Sequence, residues 1–180
     1  MNLLSKLPVT LLLLFLVNSM AAQKRGRTWN VTGGIQLPVG HFYKTHFLGA
    51  GAGLSYSDHR YGILPVKPVK KFGYTFHAGG HYFFGKKETV SGHSFRYSGY
   101  YLVHTYAGAM YNHGKRTHFE ILAGPALGIY NRTTRFNIGG TLSATYYVNA
   151  KLGVSPSFML TKETGAYWLG AFSLKGSWAF

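Results

Sequence analysis

The sequence has no cysteine, which excludes a disulfide framework and any thiolate metal site. Acidic residues are almost missing as well. Asp58, Glu88, Glu120 and Glu163 are the whole set, against 19 Lys and Arg and a formal net charge of +15. That leaves little for acid–base catalysis to draw on. Charged residues make up only 13% of the chain while aromatics reach 17%, which argues against disorder, since disorder needs many charges and few aromatics. Beyond the first twenty or so residues there is no apolar run of helix length. If the mature chain lies in a membrane, it must do so as a barrel, the other spanning structure that satisfies every backbone group.

What is present is a chain of 180 residues, one domain's worth, rich in Gly (24), Tyr (14) and Phe (13). Glycine is a poor helix former, so this composition suits a barrel better than a helical bundle. The first 22 residues read as a secretory signal. Lys6 supplies the positive start, Leu11 to Val17 an unbroken apolar stretch, and Ser19-Met20-Ala21 the small residues of a cleavage site, with cleavage after Ala21 or Ala22. The apolar stretch is short for a span, which takes about 20 residues. Residues 23–180 are then the mature domain. Such basicity usually points to nucleic acid, but an exported chain meets lipid headgroups and lipopolysaccharide phosphates instead. No nucleic-acid partner is expected.

The mature chain divides into alternating segments separated by turn residues. Trp29, Val31, Gly33, Ile35 and Leu37 alternate with Asn30, Thr32, Gly34 and Gln36 in a first strand, Thr28 to Gly40, followed by a short loop over His41 to Thr45. The second strand, about His46 to Asp58, sets Leu48, Ala50, Ala52, Leu54 and Tyr56 against an almost bare row of Gly49, Gly51, Gly53, Ser55 and Ser57, which suits a crowded interior. A long connection, His59 to Lys71, precedes a third strand over about Phe72 to Gly85. Lys86 to Arg96 reads as a polar loop, and a fourth strand covers about Tyr97 to Tyr111 with its His104 face inward. Further strands cover about Thr117 to Tyr130, Phe136 to Asn149 and Leu152 to Leu160. Pro125 predicts a bulge, because it has no donor for the ladder.

The last segment, Ala166 to Phe180, puts Trp168, Gly170, Phe172, Leu174, Gly176, Trp178 and Phe180 on one face, and serines with Lys175 on the other. An apolar face that ends on an aromatic residue suits a strand that meets lipid. The strands total eight, and the reading is an all-β, eight-stranded antiparallel up-and-down transmembrane β-barrel. An even number brings both ends of the chain to the periplasmic side. Trp29 and Trp178 then share one membrane interface and Trp168 takes the other.

The signal, the glycine-rich alternation and the closing Leu174-Lys175-Gly176-Ser177-Trp178-Ala179-Phe180 resemble the small outer-membrane β-barrel proteins of Gram-negative bacteria, of the OmpX and OmpA-barrel type. The resemblance implies export to the outer membrane, contact with its lipids and lipopolysaccharide, and a C-terminal Phe180 read by the barrel-assembly machinery. It implies a monomer with a structural or surface-interaction role, with slow passive passage of solutes as an addition. The long connection before Lys71 departs from the family's short periplasmic turns: either its flanking strands extend into it, or the strand count is off by one.

The interior predicts a polar network of His77, His81, His104, Glu120 and Lys175, whose groups satisfy one another, with Glu120 and Lys175 as a candidate ion pair. His77 and His81 share a face about 13 Å apart, too far to chelate one metal together. His118 and Glu120 are close enough for a His–acid pair, but no Ser lies in that segment. No catalytic, metal or cofactor site is expected. Two alternatives stand beside this reading: a secreted lipocalin-like barrel that binds a small apolar ligand, with its aromatic faces turned inward, and an outer-membrane enzyme that modifies lipid A.

Overall fold

The computed structural model describes residues 27–58, 71–114, 116–165 and 167–180. The signal segment and most of the second connection lie outside them. The described residues form ten strands: β1 (Arg27–Val39), β2 (His46–Asp58), β3 (Phe72–Gly85), β4 (Lys87–Val90), β5 (His93–Arg96), β6 (Tyr100–His113), β7 (Thr117–Tyr130), β8 (Thr133–Tyr147), β9 (Leu152–Glu163) and β10 (Trp168–Ala179). One five-residue helix, α1 (His41–Thr45), joins β1 to β2.

Eight strands close into an antiparallel barrel in the order β1-β10-β9-β8-β7-β6-β3-β2. Each is hydrogen-bonded to its neighbours in the meander, and β4–β5 is a separate hairpin rising between β3 and β6. The expected count of eight holds. Closure pairs β1 with β10 from Asn30↔Ala179 to Val39↔Gly170, and the Phe180 N–H adds one more bond by donating to the Trp29 carbonyl at 2.9 Å. Both ends of the described chain therefore meet at one end of the barrel, called here the closing end. α1, the β4–β5 hairpin and the β7–β8 and β9–β10 turns lie at the far end.

The two faces of each strand go to different places. Val31, Ile35, Phe76, Ile121, Ile138, Leu142 and Phe172 point outward and are exposed, while Asn30, Gln36, Thr75, Asn137, Ser143 and Thr161 point inward and are buried. The bare row of β2 has a specific use. A Cβ on Gly53 would fall 2.6 Å from His77 Nε2, and one on Gly51 would fall 2.7 Å from Gln36 Nε2 and 2.9 Å from His81 Cε1. Glycine there makes room for imidazoles from the neighbouring strand.

Three expectations need correction. Pro125 makes no bulge. The β6–β7 ladder skips the pairs opposite Pro125 and Gly124 but resumes in the same register, from His104↔Ala126 to Ala107↔Ala123. The other edge of Pro125 still pairs with Ile138. Pro156 behaves alike: the β8–β9 ladder lapses beside it, and β10 pairs it with Leu174. A missing donor thus interrupts one ladder without inserting a residue. The register shift falls instead between His46 and Leu48, at Phe47. Second, Lys86 to Arg96 is largely a hairpin rather than a loop. Ser91 and Gly92 both adopt positive φ (50° and 81°), the geometry that suits a two-residue turn between right-twisted strands. Third, His41 to Thr45 is helical, and its Phe42 is buried.

At the closing end, the buried Asp58 carboxylate accepts from Tyr56 and Tyr74 hydroxyls, each at 3.2 Å, and from Arg27 Nε at 3.3 Å. This clamp ties β1, β2 and β3 together. Asp58→Ala is expected to lower stability by ~1.5–3 kcal/mol, the worth of hydrogen bonds to a charged group, as a shift of the urea midpoint with an unchanged slope.

Candidate functional site

The lumen is filled in three layers. In the middle, Gly79 of β3 pairs with His104 of β6, which inserts the His104 ring between His77 and His81. The His81 and His104 rings stack at 4.8 Å and 5°, and His77 and His104 at 4.9 Å and 23°. His77 Nδ1 and His104 Nε2 share a hydrogen bond at 2.8 Å. Gln36 bonds His81 from β1, Thr32 reaches His77 Nε2 at 3.4 Å, and the Tyr106 ring covers His104 at 4.4 Å. Two of the ring nitrogens, His77 Nδ1 and His104 Nε2, are thus turned toward each other and paired. Among the described residues no set of three His, Cys, Asp or Glu side chains could hold a metal ion.

Toward the closing end is a polar chamber of about 40 Å³, lined by Glu120, Lys175, Asn30, Tyr147 and a ring of Ser and Thr hydroxyls. Glu120 and Lys175 share this chamber, but they form no ion pair within 4.0 Å; the Glu120 carboxylate accepts from Ser143 at 3.0 Å. Ser143 comes from β8, one strand away, where the segment carrying Glu120 has no serine. His118 packs tilted against Tyr147, with ring centres 4.9 Å apart. Serine thus donates directly to the acid, whereas a Ser–His–acid relay needs the imidazole between them.

At the far end an aromatic plug closes the lumen. Phe42 of α1 turns into the mouth, packing edge-on against Phe83 at 4.8 Å and Tyr100 at 5.5 Å and tilted against His46 at 4.6 Å. Asn137 donates to the Tyr100 hydroxyl at 3.0 Å, Tyr100 donates to Glu163 at 3.4 Å, and Arg135 approaches Glu163 at 3.6 Å. Phe83 shares the inward parity of His77 and His81, and Tyr100 that of His104. Parity alone would therefore have placed both in the lumen; nothing in the sequence folds Phe42 back into it.

The far rim mixes cations with exposed aromatics. Lys86 Nζ lies 3.2 Å from the centre of the Tyr43 ring, Lys162 Nζ lies 5.8 Å from that of Trp168, and His41 stacks flat on Tyr167 at 4.9 Å. Tyr97 donates to Glu88 at 2.7 Å, and this bond to a carboxylate is the main reason its phenol titrates above the ordinary range.

No protein-family model and no curated protein matches the sequence. Solved structures do match by shape. The crystal structure of Ail, the attachment invasion locus protein of Yersinia pestis, superposes with a TM-score of 0.56 over 87% of this chain and 99% of its own, at 12% identity. Ail in complex with the heparin analogue sucrose octasulfate gives a TM-score of 0.58 over 87% and 99% at 13% identity. The backbone structure of this outer membrane protein in a phospholipid bilayer nanodisc gives 0.56 over 86% and 99% at 17%. The chain shares the closed eight-stranded β-barrel fold of this outer-membrane protein.

The outward faces of the barrel strands are apolar and exposed. Turned outward, they invert the arrangement a soluble lipocalin-like barrel requires. Trp29 packs tilted against Tyr56 at the closing end, where Trp178 pairs with Val31, and Trp168 lies at the far end beside Lys162.

Proposed function

We propose that this barrel resides in the bacterial outer membrane as a monomer, with its lumen closed, and that its far rim engages anionic saccharide at the cell surface, the phosphate groups of lipopolysaccharide above all. The observation that carries this reading is the rim itself. Lys44, Lys86, Lys87, Arg96, Arg132, Arg135 and Lys162 lie in the far-end connections and strand ends, against Glu88 and Glu163 as acids. Tyr43, Phe95, Tyr167 and Trp168 stand exposed among them. Cations interleaved with aromatic faces suit a sulfated or phosphorylated sugar, which offers charge on its substituents and apolar C–H faces on its ring. Ail, which shares the fold, has been captured with a sulfated saccharide. In this orientation the closing end faces the periplasm, and Phe180 is the strand end offered to the barrel-assembly machinery. The plug and the histidine stack argue against solute passage, and the direct Ser143–Glu120 bond argues against an enzyme.

The test has two stages. Expressed with its signal, the protein is expected in the outer-membrane fraction, running faster on a gel unheated than heated. Recovery as a soluble protein without that shift would remove the whole reading. The inserted barrel is then expected to bind lipopolysaccharide or a heparin-type saccharide with an affinity that falls as salt rises. Lys86→Gln, Lys87→Gln and Arg96→Gln combined should weaken it. Salt-independent binding, or none, would remove the rim's role.

A further inference from the structure

The lipid-facing wall is not evenly covered. A groove of about 640 Å³ runs across β8, β9 and β10, walled by Phe119 and Leu142 on one side and by Ile35 and Phe172 on the other, with Pro156 and Phe158 between. Its surface is almost wholly apolar, and its volume falls in the roughly 300–1,000 Å³ range of sites that hold ligands. The cause lies in the sequence. Ala144 and Pro156 are short among long neighbours, and their backbones sit where the β8–β9 ladder lapses.

Following β9 toward the far end, the lipid-facing row reads Phe158, Leu160, Lys162; on β10 it reads Phe172, Gly170, Trp168. Lys162 and Trp168 are cross-strand partners, and the ammonium lies over the indole. Four strand residues separate Phe158 from Lys162, roughly 13 Å. A cation at the interface thus stands about one acyl-chain length above an apolar groove at mid-wall. Gly170, with no side chain, lets Val39, Leu160 and Phe158 close over it, so the wall between them is continuous and apolar.

We propose that this groove seats one acyl chain of a phosphorylated glycolipid of the lipid A class, with Lys162 holding a headgroup phosphate and Trp168 bracing it. The proposal rests on the outer-membrane reading above, which places the far end in the lipopolysaccharide leaflet. Charge selects the occupant: a zwitterionic phospholipid has its own ammonium beside the phosphate, whereas the lipid A phosphates have none and accept Lys162 fully.

The experiment uses the full mature chain reconstituted with lipid A, its dephosphorylated form, or phosphatidylethanolamine, and released into detergent for native mass spectrometry. Wild type is expected to keep one lipid A per barrel and little phosphatidylethanolamine. Ala144→Trp, an apolar change on a lipid-facing site that fills the groove, is expected to weaken retention about tenfold, equivalent to ~1.4 kcal/mol. Lys162→Gln should abolish the preference for phosphorylated over dephosphorylated lipid A and leave retention of the latter unchanged. The heat-dependent gel shift reports folding of each variant. Equal retention of lipid A and phosphatidylethanolamine would overturn the proposal, as would wild-type retention by Ala144→Trp, or a dimer in place of the lipid. A wild-type barrel that inserts and shifts on the gel yet keeps no lipid A loses the groove alone. A chain that never inserts loses the membrane reading with it.

Discussion

Leu142→Arg is expected to destabilise the inserted barrel by about 2–4 kcal/mol, the cost of a cation near the bilayer midplane on a lipid-facing strand. Leu142 is 59% exposed, lies well inside β8, and is flanked by the outward-facing Ile121 and Phe158. In water such a site tolerates charge: an exposed substitution away from caps and cores usually stays within ±0.5 kcal/mol. The same change thus has very different consequences in the two settings, because the penalty comes from the solvent around the side chain and from no contact within the protein. Phe136→Arg supplies the internal control. It is also exposed on β8 but near the far end, where the cost falls to about 0–1 kcal/mol. Urea unfolding from phospholipid vesicles should rank wild type and Phe136→Arg close together and Leu142→Arg well below them. Equal midpoints for all three would mean that this wall is not immersed in lipid.

That depth dependence was already implicit in the sequence. The two-residue period sets which side chains share a face, and the glycine row of β2 marks which face is crowded, so the strands, their outward rows and the inward placement of His77, His81 and His104 are legible in the sequence. The contacts between strands could not. Whether His104 stacks between His77 and His81 or stands beside them depends on the β3–β6 register, and register comes from pairing, which the alternation of one strand leaves open. Ser143 reaches Glu120 for the same reason, and Glu120 and Lys175 share a chamber without an ion pair. The misplaced bulge has a different origin. Proline's missing donor need not shift the register, because a strand has two edges and Pro125 turns only its deficient one toward a lapse in the ladder. The far-end hairpin was hidden because Ser91-Gly92 is a weak turn signal within a polar stretch.

Phe83→Ala is expected to cost about 3–5 kcal/mol, the range for truncating a buried aromatic, and also to weaken the seal of the lumen. Phe83 is fully buried, and its ring lies where a Cβ on Gly49 would fall 2.6 Å from it, so the strand beside it has no side chain able to fill the space. The void borders Phe42, whose ring rests on Phe83. It also adjoins the polar Gln36–His81 pair, which would admit water where a wholly apolar cavity would stay dry. Phe42→Ala separates the two consequences. Its residue is carried by the five-residue α1 outside the barrel wall, so its loss unseats the plug while the ladders of the eight strands keep every bond. Phe42→Ala should therefore cost less than Phe83→Ala in urea yet admit water to the far mouth just as readily, seen as faster hydrogen exchange at Tyr100 and Leu102. Conductance in a planar bilayer then tests the next barrier. With the far plug gone, the His77–His104–His81 stack still spans the lumen and should keep single-channel conductance near the wild-type background, whereas Phe42→Ala combined with His104→Ala should raise it. Open-channel currents from Phe42→Ala alone would show that the aromatic plug is the whole seal and that the histidine stack blocks nothing.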